Sequence, residues 1–458
     1  MRPLSALAAV AAASLLAAAP AGAATWSPPA TVSAPHTFVS PLEAASSGNG
    51  TVVLHWGFQD GIGAGASTGV RGASLLPGAA AFGPERTLPG DTLKVAPYAR
   101  RSIAALLTPR DRAGGIIRLA VAFGSVDGPS VGAPRTVATD DVAFVPSFAV
   151  ASDGTGLLAW ISRASGNRRV VKVSLRAPGG RFGAPSIIAG TGRANSIVAA
   201  VGPQGQRVVA FERSGHLFTR FRAAGHNWGS IQDLGAVAAG TDNELAALIA
   251  NGGRATIVDL HRQLTEGGDT GPLLVDAWVR PVGASRFGAR QRLEDGGQIE
   301  SSRPELVEIE GRGAVLAWLG ADPSSQSSPL GPGRRVNVSL MGASGRFGPA
   351  QALSASDEAA VAVNAAGSGG NVIVSWVRPT AGSDTSGQVM AALRLAGAGF
   401  TPAEVVSPVE NASLTAPGFS GSPGSVPFVA WASRPGGEGP GVPIGQIRTF
   451  VRVAQRTP

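Results

Sequence analysis

Along this chain, apolar and polar positions alternate in short runs broken by Gly, Pro and Asp-Gly turns, and no such run has helical period. The clearest stretch begins at Pro146, where PSFAVASDG alternates apolar and small residues and ends in the turn signal Asp153-Gly154. LLAWIS from Leu157 predicts a second strand, SRASGNRR from Ser162 a loop, and VVKVSLRA from Val170 a third strand. Pro178-Gly179-Gly180 then turns the chain into RFGAPSII from Arg181, a fourth strand that closes the unit. Four short strands joined by tight turns form an antiparallel meander.

The unit recurs about every fifty residues, and its closing phrase recurs with it: FGPERTL from Phe82, FGAPSII from Phe182, FGARQRL from Phe287, FGPAQAL from Phe347 and FTPAEVV from Phe400. Weaker copies begin at Trp228, Val131 and Trp26. The second strand carries an aromatic at a fixed place, at Trp56, Trp160, Phe211, Trp318, Trp376 and Trp431, with degenerate copies ending at Leu107 and Leu260. One large aromatic per unit fills the space between stacked sheets, so these residues are expected in the core. Sheets of four strands repeated at this period predict an all-β fold, a β-propeller. Eight blades are expected, or seven if a degenerate unit is not a full sheet. The phrase at Trp26 has no unit before it, and the last unit lacks a closing phrase. Trp26 to Ser33 is therefore expected to pair with the last blade near Ile447 to Val453 and close the ring, hiding an otherwise bare edge.

Composition changes the picture in two places. There is no Cys among the 458 residues, so the fold holds without disulfides and thiolate chemistry is excluded. Residues 1–24 read as a secretory signal peptide, with Arg2, an Ala/Leu-rich stretch and the small residues Ala21 to Ala24, cleaved after Ala23 or Ala24. A single propeller domain over 25–458, secreted, monomeric and without a membrane span, follows as the expectation. The net charge of +8 comes almost wholly from Arg, Lys94 and Lys172 being the only lysines, and no dense basic run marks a nucleic-acid site. The sequences N-x-S/T at Asn49, Asn337 and Asn411 match glycosylation acceptors at chance level.

The pattern D-G-x-x-L-A-W with a closing R-F-G-x-P, in Asp153 to Trp160 and Arg181 to Pro185, resembles the repeats of exported, largely uncharacterised β-propeller proteins of high-GC Gram-positive bacteria. The resemblance spans the mature chain and implies fold rather than activity. Sialidases resemble it in architecture, but their Asp-box S-x-D-x-G-x-x-W is not reproduced, and Tyr98 is the only Tyr for a nucleophile. The quinoprotein dehydrogenase motif A-x-D-x-x-T-G-x-x-x-W is approached once, by Ala151, Asp153, Thr155, Gly156 and Trp160, one residue short.

No histidine pair has metal-site spacing, and no nucleophile elbow or phosphate loop occurs in context. One constellation remains. Connections that lead into the innermost strands carry Asp91, Asp140, Asp141, Asp242, Glu244, Glu300, Asp357, Glu358 and Glu410. Connections between second and third strands, on the same face, carry Arg110, Arg112, Arg163, Arg213, Arg262, Arg378 and Arg434. The expected ligand site is this face, with Asp140, Asp141, Asp242, Glu244, Asp357 and Glu358 nearest the axis and Arg163, Arg213, Arg378 and Arg434 around them. Clustered carboxylates there would have raised pKa values or hold a cation such as Ca²⁺; no other cofactor is implied. Charge that merely solvates loops is the competing reading. Two function classes fit: a non-enzymatic binding or scaffold propeller for a glycan, peptide or cell-envelope component, and a glycan-active hydrolase or lyase using paired carboxylates.

Overall fold

The structure is a computed structural model that describes residues 25–46, 50–61, 66–89, 92–98, 102–107, 117–125, 131–142, 145–164, 168–192, 194–237, 244–264, 270–295, 303–309, 313–321, 334–355, 358–380, 386–420, 426–434 and 448–456. The signal-peptide reading falls outside these residues. The described residues form eight four-stranded antiparallel sheets, the arrangement of an eight-bladed β-propeller. Blade 3 is typical, with strands Ser147–Val150, Gly156–Arg163, Arg169–Arg176 and Ser186–Thr191 in that order. The first strand of each blade packs against the first strand of the next, all the way round, so these strands surround the axis.

The ring closes through the chain ends. Ala30–Thr31 is the outer strand of blade 8, pairing Ala30 with Val453 and Thr31 with Arg452. A bridge between Trp26 and Arg456 and the bond from Ser27 N–H to the Gln455 carbonyl at 2.7 Å extend the ladder. This is the closure expected from the orphan phrase at Trp26.

The recurring phrase has a single physical cause. In blade 3 the N–H of Gly183 donates to the Leu175 carbonyl at 2.9 Å, and Gly83, Gly132, Gly229, Gly288 and Gly348 donate in the same way at 2.8–2.9 Å. Thr401 and Ser27 take this role in blades 7 and 8. The approach is tightest in blade 2, where a Cβ on Gly132 would sit 2.9 Å from the Phe123 carbonyl oxygen.

That bond also fixes a common frame for the blades. Three residues before the accepting carbonyl, the third strand meets the second at Trp56↔Arg71, Leu107↔Ala120, Trp160↔Lys172 and Phe211↔Phe218. The later blades continue with Asp259↔Asp276, Trp318↔Asn337, Trp376↔Met390 and Trp431↔Arg452. The five Trp residues and Phe211 are fully buried. Alternate residues face opposite neighbours: Leu158 and Trp160 pack with Leu106 and Val121 of blade 2, whereas Leu157 and Ala159 pack with Val209 and Phe211 of blade 4.

Blades 2 and 5, degenerate in sequence, are complete sheets. Blade 5 departs from expectation in another way. Its aromatic place is filled by Asp259 rather than Leu260, because Leu260 points to the other face, among residues of blade 6. The missing volume is supplied from the third strand by Trp278, 1% exposed, whose Nε1 donates to the Leu234 carbonyl at 3.1 Å.

At the closing seam, His36 is buried between two acids, its Nδ1 3.1 Å from Asp60 Oδ1 and its Nε2 3.6 Å from Glu85 Oε1. The backbone beside it binds the same acids, Ala34 N–H to Glu85 at 2.6 Å and Thr37 N–H to Asp60 at 3.2 Å. Burial opposes a charged imidazole, but Glu85 and Asp60 outweigh it and raise the His36 pKa. Burial opposes the Glu85 carboxylate too, and His36 and the Ala34 N–H outweigh it and lower the Glu85 pKa.

Two predictions follow from this closure. Deleting residues 26–33 should lower the melting temperature sharply, since it bares the edge of blade 8; unchanged melting would show that the ring does not depend on the strand. The His36 contribution is complete below the ordinary imidazole value of 6.5 and lost as pH rises through its raised pKa. The Glu85 contribution is present above its ordinary 4.5 and lost as pH falls through its lowered pKa. Closure is therefore tightest between these ordinary values, and His36→Gln should flatten the alkaline limb of the melting profile. An identical limb in that variant would remove His36 from the account.

Candidate functional site

The charged residues expected on the ligand face, Glu244 apart, divide into three groups. Asp140 is the last residue of the outer strand Arg135–Asp140 of blade 2, and its side chain reaches the second and third strands of blade 3. It accepts hydrogen bonds from Trp160 Nε1 at 2.9 Å, Ser162 Oγ at 2.7 Å and Lys172 Nζ at 2.8 Å. Glu410 repeats the arrangement in blade 8, with Trp431 Nε1 and Ser433 Oγ both at 2.6 Å and Arg452 at 3.0 Å. Glu358 accepts from Trp376 Nε1 at 3.3 Å, and Arg378 lies 3.9 Å away. Glu294, which the motif search did not select, accepts from Trp318 Nε1 and from Asn337 at 3.3 Å. These acids lie in the seams between blades, tying the outer part of one blade to the aromatic of the next. Burial works against ionisation of Asp140, but Lys172, Trp160 and Ser162 outweigh it and lower its pKa.

A second group is paired at the surface. Arg163 Nη1 lies 3.2 Å from Asp141 Oδ1, both about half exposed. Arg213 donates to the Gly190 carbonyl at 3.3 Å and covers the Phe218 ring. Arg434 donates to Thr449 Oγ1 at 3.1 Å and lies over Phe38. The third group, Asp91, Asp242, Glu300, Asp357, Arg110 and Arg112, lies outside the described residues, as does the Arg262 side chain. No three His, Asp or Glu side chains among the described residues are placed to hold a metal ion.

The axis itself carries a different set. Glu244 opens the innermost strand of blade 5 and pairs with Arg303 at 3.3 Å, just before the innermost strand Glu305–Ile309 of blade 6. Glu305 is the first residue of that strand. Burial pushes its pKa up to about 7, with Lys94 and Arg303 opposing and Glu43 reinforcing. Glu43 lies on the innermost strand Phe38–Ser46 of blade 1, and Lys94 on that of blade 2, Thr92–Tyr98. Blades 2 and 6 are opposite in a ring of eight, so Glu305 and Lys94 sense each other across the axis. Glu244 was foreseen; Glu43, Lys94 and Glu305 were not. Their one signal in the sequence is charge on strands otherwise built of small and apolar residues, and Lys94 is one of two lysines.

A shallow groove of about 670 Å³ runs along the ring closure, lined by Trp26, Pro28, Gln388, Glu404 and Ser407. Its acid is engaged: Glu404 accepts from Trp26 Nε1 at 2.9 Å and from Arg456 at 2.8 Å.

No protein-family profile and no curated protein sequence matches the chain. Solved structures similar to it include the β-propeller domain of the Trilobed protease from Pyrococcus furiosus, at 10% identity and a TM-score of 0.40, covering 75% of this chain and 90% of that one. The NanB sialidase from Streptococcus pneumoniae is similar at 8% identity and a TM-score of 0.39, covering 78% and 67%. Prolyl oligopeptidase B from Galerina marginata is similar at 8% and 0.45, covering 86% of this chain and 54% of that one.

Trp160→Ala should cost about 3 to 5 kcal/mol as a buried aromatic truncation, and Asp140→Ala should also lower the melting temperature, because it strands three donors. Variants as stable as the parent would show that these residues are free of a packing role.

Proposed function

We propose that the protein is an exported, non-enzymatic binding or scaffold propeller whose ligand docks at the axial opening. The observation that carries this reading is the convergence of Glu43, Lys94 and Glu305 on the axis from blades 1, 2 and 6, with Glu244 and Arg303 beside them. Charges from separate blades meet there because the fold brings the innermost strands together, and perturbed titration in a concave place is a mark of function. Asp140, Glu358 and Glu410 support the reading indirectly, since their oxygens already serve the seams. Export rests on the signal-peptide pattern of residues 1–24.

One observation favours a second reading, a glycan-active hydrolase or lyase. A carboxyl with a pKa of about 7 that senses a second carboxyl, Glu43, matches the division into acid and base that glycoside hydrolysis uses.

Retention of the full chain on insoluble chitin, xylan, cellulose and peptidoglycan separates these. Binding to at least one of them should fall at least fivefold in the double variant Lys94→Glu, Glu305→Arg, with no reducing ends released by the parent. Release of reducing ends that is abolished by Glu305→Gln would replace binding with hydrolysis. Retention unaffected by the double variant would remove the axial site.

A further inference from the structure

Behind the axial charges stands a histidine with no hydrogen-bond partner among the described residues. Glu43 and His55 are directly opposed across the first two strands of blade 1, on the face toward blade 2, where Val53 and Val95 share a packed cluster. His55 is 2% exposed, and neither ring nitrogen has a hydrogen-bond partner among the described residues. Its Nε2 stops 3.6 Å from Glu43 Oε2, aimed at the carboxylate that faces the axis. Buried polar atoms are ordinarily satisfied, so two orphaned nitrogens on one ring call for a group that arrives from outside.

The charge balance decides what that group is. Burial lowers the His55 pKa, with Lys94 reinforcing and Glu43 opposing, so the ring is neutral at pH 7 and offers one donor and one acceptor. The Glu43 carboxylate and the Lys94 ammonium cancel, and Glu305 is about half protonated near neutrality. An added cation would face Lys94, an added anion would face Glu43 and Glu305, and either would unbalance a set of charges that is otherwise matched. Hydroxyl groups have no such cost. Each both donates and accepts, and the four side chains present acceptors at Glu43, a donor at Lys94 and both kinds at His55 and Glu305.

We propose that Glu43, His55, Lys94 and Glu305 form a binding site for a neutral, polyhydroxylated ligand, a carbohydrate, in the axial channel. The proposal rests on the axial-docking reading above and narrows it to a ligand class.

Titration calorimetry of the full chain at pH 7 tests it with defined probes. These are chitotriose, xylotriose and maltotriose as neutral sugars, sialyllactose as an anionic one, glycylglycine as a zwitterion and Ca²⁺ as a cation. The expected result is binding of at least one neutral trisaccharide, weakened at least tenfold by Glu43→Gln and by His55→Phe. Lys94→Met, at an exposed position, supplies the same test should His55→Phe fail to fold, and circular dichroism reports folding. Sialyllactose, glycylglycine or Ca²⁺ binding with that sensitivity, and no neutral sugar, would overturn the carbohydrate assignment while leaving axial docking intact. No binding by any probe would overturn the assignment as well. Sugar binding insensitive to Glu43→Gln and Lys94→Met would overturn both the assignment and axial docking.

Discussion

A propeller without disulfides depends on one piece of pairing, that of Ala30–Thr31 with Phe450–Gln455. Each blade buries its faces only against its neighbours, so an unclosed stack would leave the outer faces of its first and last blades bare. The remaining features serve that closure or profit from it. The acids around His36 tie the N-terminal segment to blade 1, and Trp26 with Glu404 and Arg456 ties it to blade 7. The axial charges meet because closure brings strands from far parts of the chain to one line.

Between blades, the recurring contact is an indole N–H donated to a carboxylate from the preceding blade, seen at Asp140, Glu294, Glu358 and Glu410. It lets a large buried aromatic satisfy its one polar atom while the carboxylate meets a cation or amide, on the third strand for Asp140, Glu294 and Glu410 and on the second, at Arg378, for Glu358. Blade 5 breaks the series. There Asp259 and Asp276 oppose each other, both fully buried, with His261 Nδ1 at 2.9 Å from Asp259 and Arg292 holding Asp276. Burial raises the Asp259 pKa, Asp276 adds to it and His261 opposes it. The seam between blades 4 and 5 thus buries acids beside Trp278, and Glu212, on the blade 5 side of its strand, is buried there too.

The fold was legible because its signals are local. A Gly whose N–H reaches a carbonyl and a Trp inside the second strand both recur at a period of about fifty residues. The register across strands is less visible, which is why Leu260 was taken for the aromatic place that Asp259 holds. The site was least legible of all. Glu43, Lys94 and Glu305 are spread over three blades, and no spacing in the chain relates them. Asp140, Glu358 and Glu410 looked like ligand groups because they precede an innermost strand, as they do. Sequence position could not reveal that their side chains turn outward to meet a Trp two strands away.

Closure has a mechanical consequence. The two strands that hold the ring are antiparallel, with Trp26 beside Arg456 and Val32 beside Val451, so both flanks leave the ladder at the same end. A force pulling these flanks apart would load the Trp26–Arg456 bridge first and then each bond in turn, because the bonds lie across the strands rather than along them. The ring is therefore built to unzip rather than to shear. It resists heat through the whole circle of packed faces, but it yields to tension one bond at a time.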